Sequence, residues 1–126
     1  MHMTERVKEI IELNKLNFYI PLAIQGDHSR MFPMYSVRIM EENTLAFPAT
    51  DATGIDQALK ESTPAQAMVV DRAGGYEAYL LEGNARYVSD EMDYTLVSEM
   101  RNEMDGFPIH GAVVFEVKNV YLVPPP

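Results

Sequence analysis

The stretch 65–88 constrains the fold more than any other part of the chain. Two β-type runs, 65–71 and 76–88, flank Ala73-Gly74-Gly75, the tightest turn signal in the sequence. A glycine pair between two such runs reads as a hairpin turn rather than a phosphate cradle, so the chain contains an antiparallel sheet. The second run is long for a strand and holds Gly83 in its interior. A glycine there marks a bulge or a close approach by another backbone.

The remaining elements are placed around that hairpin. Over residues 4–16, Val7, Ile10, Ile11 and Leu16 form a helical stripe, with Glu5 in the first turn and Lys15 in the last. The period then changes. Phe18, Tyr19, Ile20, Leu22, Ala23 and Ile24 make a dense apolar strand ending at the turn Gly26-Asp27-His28-Ser29. A second strand spans 31–40. In its Tyr35-Ser36-Val37-Arg38-Ile39 portion apolar and polar residues alternate, which buries one face and turns the other to a solvent groove. Glu41-Glu42-Asn43 leads into a third strand, 44–49, and the small, polar loop 50–54 leads into a short helix, 55–61. Ser89 and Asp90 are candidate caps for a helix whose apolar face is Leu96, Val97, Met100 and Met104. In the last strand, 112–123, Val113, Phe115 and Val117 oppose Glu116 and Lys118. The expected order is helix, three strands, short helix, two strands, helix, strand. Six strands of this length are better closed into a barrel than left with two exposed edges.

Length and composition narrow the function. At 126 residues the chain favours a single domain, 1–126, with one hydrophobic core. No apolar run approaches the roughly 18 residues of a membrane span, and the N-terminal residues lack the pattern of a secretory signal. A soluble, cytoplasmic protein without a membrane partner is expected. The absence of cysteine excludes disulfides, thiolate metal sites and thiol nucleophiles, so redox chemistry would need a bound cofactor. With a net charge of −9 and Lys and Arg scattered singly, nucleic acid is not an expected partner.

Most single candidates have a plain structural role. His28 and His110 lie far apart, and a metal site needs three or four convergent ligands, so both read as surface or groove residues and no metal is expected. Asp90, Glu91 and Asp93 suit helix capping and dipole complementation better than catalysis. Ser36, Ser62, Ser89 and Ser98 lack the Gly-x-Ser-x-Gly setting of a hydrolase nucleophile, and no residue stands out as catalytic. Met31, Met34 and Met40, clustered on the second strand, suit either a groove wall for a flat ring or ordinary packing.

The arrangement resembles the pyridoxamine 5'-phosphate oxidase-like split barrels, and especially their small FMN-binding members. The carriers are the opening helix, the paired strands 31–40 and 44–48, the Thr-rich loop and short helix 50–61, the strand Leu80-Leu81-Glu82-Gly83-Asn84-Ala85-Arg86-Tyr87-Val88, and the final Val113-Val114-Phe115-Glu116-Val117. The resemblance implies a mainly β split barrel with peripheral helices, a homodimer, and FMN in grooves between the subunits. By position, the flavin ring would lie near Phe32, Met34, Tyr35 and Ser36, and its phosphate by Thr50, Thr53 and the start of the short helix. Free backbone N–H groups and the positive helix end attract a phosphate there.

One departure stands out. Such proteins usually place a lysine or arginine where the short helix begins, and this chain has Gly54 and Ile55, with Asp51 close by. A carboxylate about 5 Å from one phosphate charge costs about 3 kcal/mol at an effective dielectric of 20. Arg38 is the candidate substitute, with Lys60 or Arg30 in support. The resemblance thus implies a flavin-dependent oxidoreductase or electron carrier acting on an unspecified small molecule. The missing cation favours an alternative, a cofactor-free dimeric binding or regulatory module. A third reading places haem or a pyridoxal phosphate vitamer in the same groove.

Overall fold

The computed structural model describes residues 3–14, 19–25, 30–41, 43–50, 54–59, 62–71 and 77–124. Helix α1 (Glu5–Asn14) is followed by strands β1 (Ile20–Ile24), β2 (Arg30–Met34), β3 (Arg38–Ile39) and β4 (Thr44–Ala49). Then come helix α2 (Ile55–Ala58), strands β5 (Thr63–Asp71) and β6 (Glu77–Ser89), helix α3 (Tyr94–Glu103) and strand β7 (Gly111–Val123). The fold is mainly β with short helices, as expected.

The strands form one antiparallel sheet in the order β2-β1-β5-β6-β7-β4-β3. Its two edge strands, β2 and β3, are neighbours in sequence, separated only by Tyr35, Ser36 and Val37. Seven strands laid flat, about 4.8 Å apart, would hold their edges about 29 Å apart. Four residue steps span at most about 14 Å. The sheet therefore curls until its edges nearly meet, and the chain itself spans the split.

This corrects the strand count from six to seven. The alternation over 35–39 reads as a continuous strand, but Ser36 has φ 53, in the left-handed region that no strand residue adopts. Backbone direction breaks there while the side-chain pattern runs on. The first half of the expected strand pairs with β1 (Leu22 opposite Phe32), the second with β4 (Arg38 opposite Ala46).

Other expectations hold. β5 and β6 pair from Thr63 opposite Ala85 to Asp71 opposite Glu77; the turn at Ala73-Gly74-Gly75 lies outside the described residues. The β6–β7 register shifts between Glu82 and Gly83, and a Cβ on Gly83 would meet the backbone of Glu116 and Val117. Bulge and close approach coincide at this glycine.

The core has two parts. Inside the curl, Val7, Ile10 and Ile11 of α1 pack with Leu22, Leu45, Phe47, Leu81 and Phe115. On the outer face, Leu96, Val97 and Met100 of α3 cover Ala46, Val88, Ala112 and Val114. Period-two alternation along β4 and β7 serves both layers: Leu45 and Val113 face in, Ala46 and Val114 face α3. The cap of α3 is Asp93, whose Oδ1 accepts from the Leu96 amide at 3.1 Å, rather than Ser89 or Asp90. Strand β6 runs on through Ser89, which delays the helix start.

Candidate functional site

A pocket of about 520 Å³ opens where the β2–β3 kink, the end of β4, the start of α2 and the chain after α3 converge. Met34, Tyr35 and Ser36 line it. Ala49, Thr50, Ile55, Met104, Phe107 and Ile109 also line it. Four residues expected at a flavin site, Met34, Tyr35, Ser36 and Thr50, are thus brought together.

Sequence and backbone explain the two aromatic positions. The left-handed Ser36 follows Tyr35 and ends the β2 direction, leaving the tyrosine 54% exposed with its ring 6.2 Å from that of Tyr19, tilted by 59°. Phe107, 60% exposed, sits in a tight turn between Gly106 and Pro108. Gly106 takes φ 89, the Phe107 amide donates to the Met104 carbonyl at 3.0 Å, and the Ile109 amide donates to the Phe107 carbonyl at 2.9 Å. The turn is anchored at both sides. Arg101 donates from Nε to the Ile109 carbonyl at 2.9 Å while its Nη2 bonds both carboxylate oxygens of Asp90, at 2.8 and 2.7 Å. The His110 amide reaches back to the Ala49 carbonyl at 3.2 Å.

The other expected residues lie elsewhere. Phe32 is buried inside the curl, with the guanidinium of Arg30 5.0 Å above its ring. Thr53 and Lys60, and with them Asp51, lie outside the described residues. Arg38 faces α3, where its Nη1 donates to Glu99 Oε2 at 2.7 Å and its Nη2 to Glu103 Oε1. Partial burial works against its charge, but the two carboxylates outweigh this and hold its pKa above the ordinary arginine value. The guanidinium expected at a phosphate is held by two carboxylates.

Helix α2 is four residues long, begins at Gly54 with φ 73 and has no side-chain cap bond. So short a helix has little macrodipole to offer a phosphate. The described lining of the pocket contains no charged side chain, and its apolar surface suits a flat ring. Hydroxyls of Ser36 and Thr50 supply its polar points.

Phe107 and Ile109 escaped the sequence reading because they follow a helix whose apolar face ends at Met104. The only local sign is a large apolar residue between Gly106 and Pro108. A second, larger concavity of about 790 Å³ near the start of α3 sets Glu41, Asp93 and Glu116 against the single guanidinium of Arg86, which does not suit an anion. No cluster of metal-ligating side chains occurs among the described residues, and no described helix is long and apolar enough to cross a membrane.

No protein-family model and no curated protein matches the chain. Solved structures do. HupZ of Group A Streptococcus superposes with a TM-score of 0.77 at 15% identity, covering 96% of this chain and 94% of that one. A Lactobacillus delbrueckii protein with a provisional pyridoxamine 5'-phosphate oxidase designation gives 0.73 at 16% identity, covering 95% and 93%. An FMN-binding protein from Syntrophomonas wolfei gives 0.71 at 15% identity, covering 95% and 85%. Likeness this close over nearly the whole of both chains, at such low identity, is likeness of fold, and the chain therefore has the pyridoxamine 5'-phosphate oxidase-like split-barrel fold.

Proposed function

We propose that this protein is a flavin-binding split barrel, with FMN as the expected cofactor, held in the pocket formed by Met34–Ser36, Ala49, Thr50 and the turn at Phe107. The observation that carries the reading is the convergence of exposed Tyr35 and exposed Phe107 on one apolar pocket, in a fold that also occurs in an FMN-binding protein. A bound flavin would supply electron or hydride transfer to a small molecule. The chain's own residues bind and orient. Tyr35 and Phe107 offer aromatic surface, Met34, Ile55 and Ile109 exclude water, and the hydroxyls of Ser36 and Thr50 are hydrogen-bond partners for ring or side-chain polar atoms.

The same proposal includes a homodimer. On the outward face, Met68, Leu80 and Tyr121 stand side by side across β5, β6 and β7, and Val70, Ala78 and Val123 form the next row. Helix α3 covers Val88, Ala112 and Val114 at the other end of these strands, and among the described residues no helix packs on Met68, Leu80 and Tyr121. Met68 and Tyr121 are exposed, and contiguous apolar rows on a sheet face suit a self-complementary contact.

A second reading, a cofactor-free dimeric module, is favoured by the engagement of Arg38 with Glu99 and Glu103. One titration separates the two. Purified protein that carries visible flavin absorption, or that quenches FMN fluorescence on titration, supports the flavin reading. Colourless protein that leaves FMN fluorescence unchanged refutes it and supports the second.

A further inference from the structure

We propose that the pocket recognises a flavin through its ring system, clamped between Tyr35 and Phe107, and draws little affinity from the phosphate. The inference rests on the flavin reading and says which part of the molecule the site reads.

Two features favour the ring. Tyr35 and Phe107 line the same apolar concavity, yet each leaves more than half of its surface exposed. Large aromatic surface left in water around a pocket is recovered when a flat apolar partner enters. The backbone at both positions is also held in place beforehand. Tyr35 is set by the Ser36 kink and its contact with Tyr19. Phe107 is set by bonds to Met104 and within the turn, and by the Arg101 brace on Ile109. A backbone already ordered loses little entropy on binding.

Two features disfavour the phosphate. No lysine or arginine occurs between Arg38 and Lys60, whereas Asp51 and Asp56 flank the loop that would receive the phosphate. Arg38 is occupied by Glu99 and Glu103, and Glu103 adjoins Met104 of the pocket. A phosphate arriving here meets surplus negative charge on a chain of net charge −9.

The test is a pair of titrations of the full chain, with riboflavin and with FMN, followed by flavin fluorescence and by calorimetry. Dissociation constants within about threefold of each other are expected, with FMN binding tightening as salt screens the surrounding carboxylates. Phe107→Ala should weaken both flavins by roughly tenfold, as loss of one aromatic stacking partner does, and Phe107→Tyr should restore them. The phenylalanine is exposed, so unchanged circular dichroism will show that the variant folds; Tyr35→Ala provides the same test at the other aromatic position. FMN bound more than about tenfold tighter than riboflavin, a difference of about 1.4 kcal/mol, would overturn the proposal while leaving the flavin reading intact. Unchanged affinities in both Ala variants would overturn the clamp. Binding of neither flavin would overturn this proposal and the flavin reading together.

Discussion

Arg38 Nη1 lies 2.7 Å from Glu99 Oε2, joining the short strand β3 to helix α3 across 61 positions of sequence. Glu103, one helical turn further on, takes the other arm of the same guanidinium. Two carboxylates on one arginine leave no net positive charge for a ligand. Replacing both, Glu99→Gln with Glu103→Gln, should free the guanidinium and tighten FMN severalfold while leaving riboflavin unchanged, as read by parallel titrations. The two carboxylates are 57% and 60% exposed, so stability should fall by less than about 1 kcal/mol in denaturant unfolding.

The β6–β7 bulge depends on Gly83. A Cβ there would stand 1.9 Å from the Glu116 carbonyl oxygen, which belongs to backbone and has no rotamer in which to retreat. Gly83→Ala should destabilise the protein by about 1–3 kcal/mol or more. A shift of the denaturation midpoint at constant slope will measure it; an unchanged midpoint would show that the strands approach less closely.

Ser36 carries the kink that lets one stretch of chain serve both sheet edges. At φ 53 a β-branched side chain is strained, so Ser36→Val should cost roughly 1–3 kcal/mol. In Ser36→Gly, relief of the left-handed conformation offsets the added freedom of the unfolded chain, and the change should stay below about 1 kcal/mol. Thermal unfolding of the pair will show whether Gly is tolerated and Val is not.

The proposed dimerisation through the outer rows of β5–β7 makes Leu80 a sensitive position, because it stands between Met68 and Tyr121 on a face that no described helix covers. Leu80→Asp should leave the circular dichroism spectrum unchanged and halve the mass measured by sedimentation. A variant that sediments like the parent protein would move the interface elsewhere.

Acid should weaken the tie between α1 and the β5–β6 hairpin. Arg6 Nη2 lies 2.6 Å from Asp71 Oδ2 and 3.1 Å from Glu77 Oε1, and Tyr79 donates its hydroxyl to Glu77. That tyrosine bond first, and Arg6 second, lower the Glu77 pKa below its ordinary 4.5. A carboxylate with a lowered folded pKa stabilises the fold above its unfolded value and loses that contribution as pH falls through the folded one. Glu77→Gln should therefore melt below the parent protein at pH 7, and the difference should shrink as the pH falls below 4.5 and through the lowered folded value.

Much of the fold was legible because it is written in short-range periodicity. Val7, Ile10 and Ile11 place α1, Leu96, Val97 and Met100 place α3, and the alternation of Val113, Phe115 and Val117 places β7. Gly83 announced its bulge because only glycine permits so close a backbone approach. At the site, Met34, Tyr35, Ser36 and Thr50 came by position from the family resemblance, and the tertiary structure sets them around one pocket.

What pattern alone left open required contacts between distant residues. Alternation at Tyr35-Ser36-Val37 is the same whether the backbone runs straight or breaks; only the competing pairings with β1 and β4 decide for the break. The charge of Arg38 is evident from the residue itself, but its partners lie 61 and 65 positions away, and a residue's charge does not say which carboxylate it will meet. Phe107 is one apolar residue in a turn until the Arg101 brace and the bond from His110 to Ala49 carry that turn to the pocket. Local propensity determines the elements, because a helix or strand is stabilised by neighbours a few residues apart. Packing determines which side chains meet, and so the shape and charge of the site.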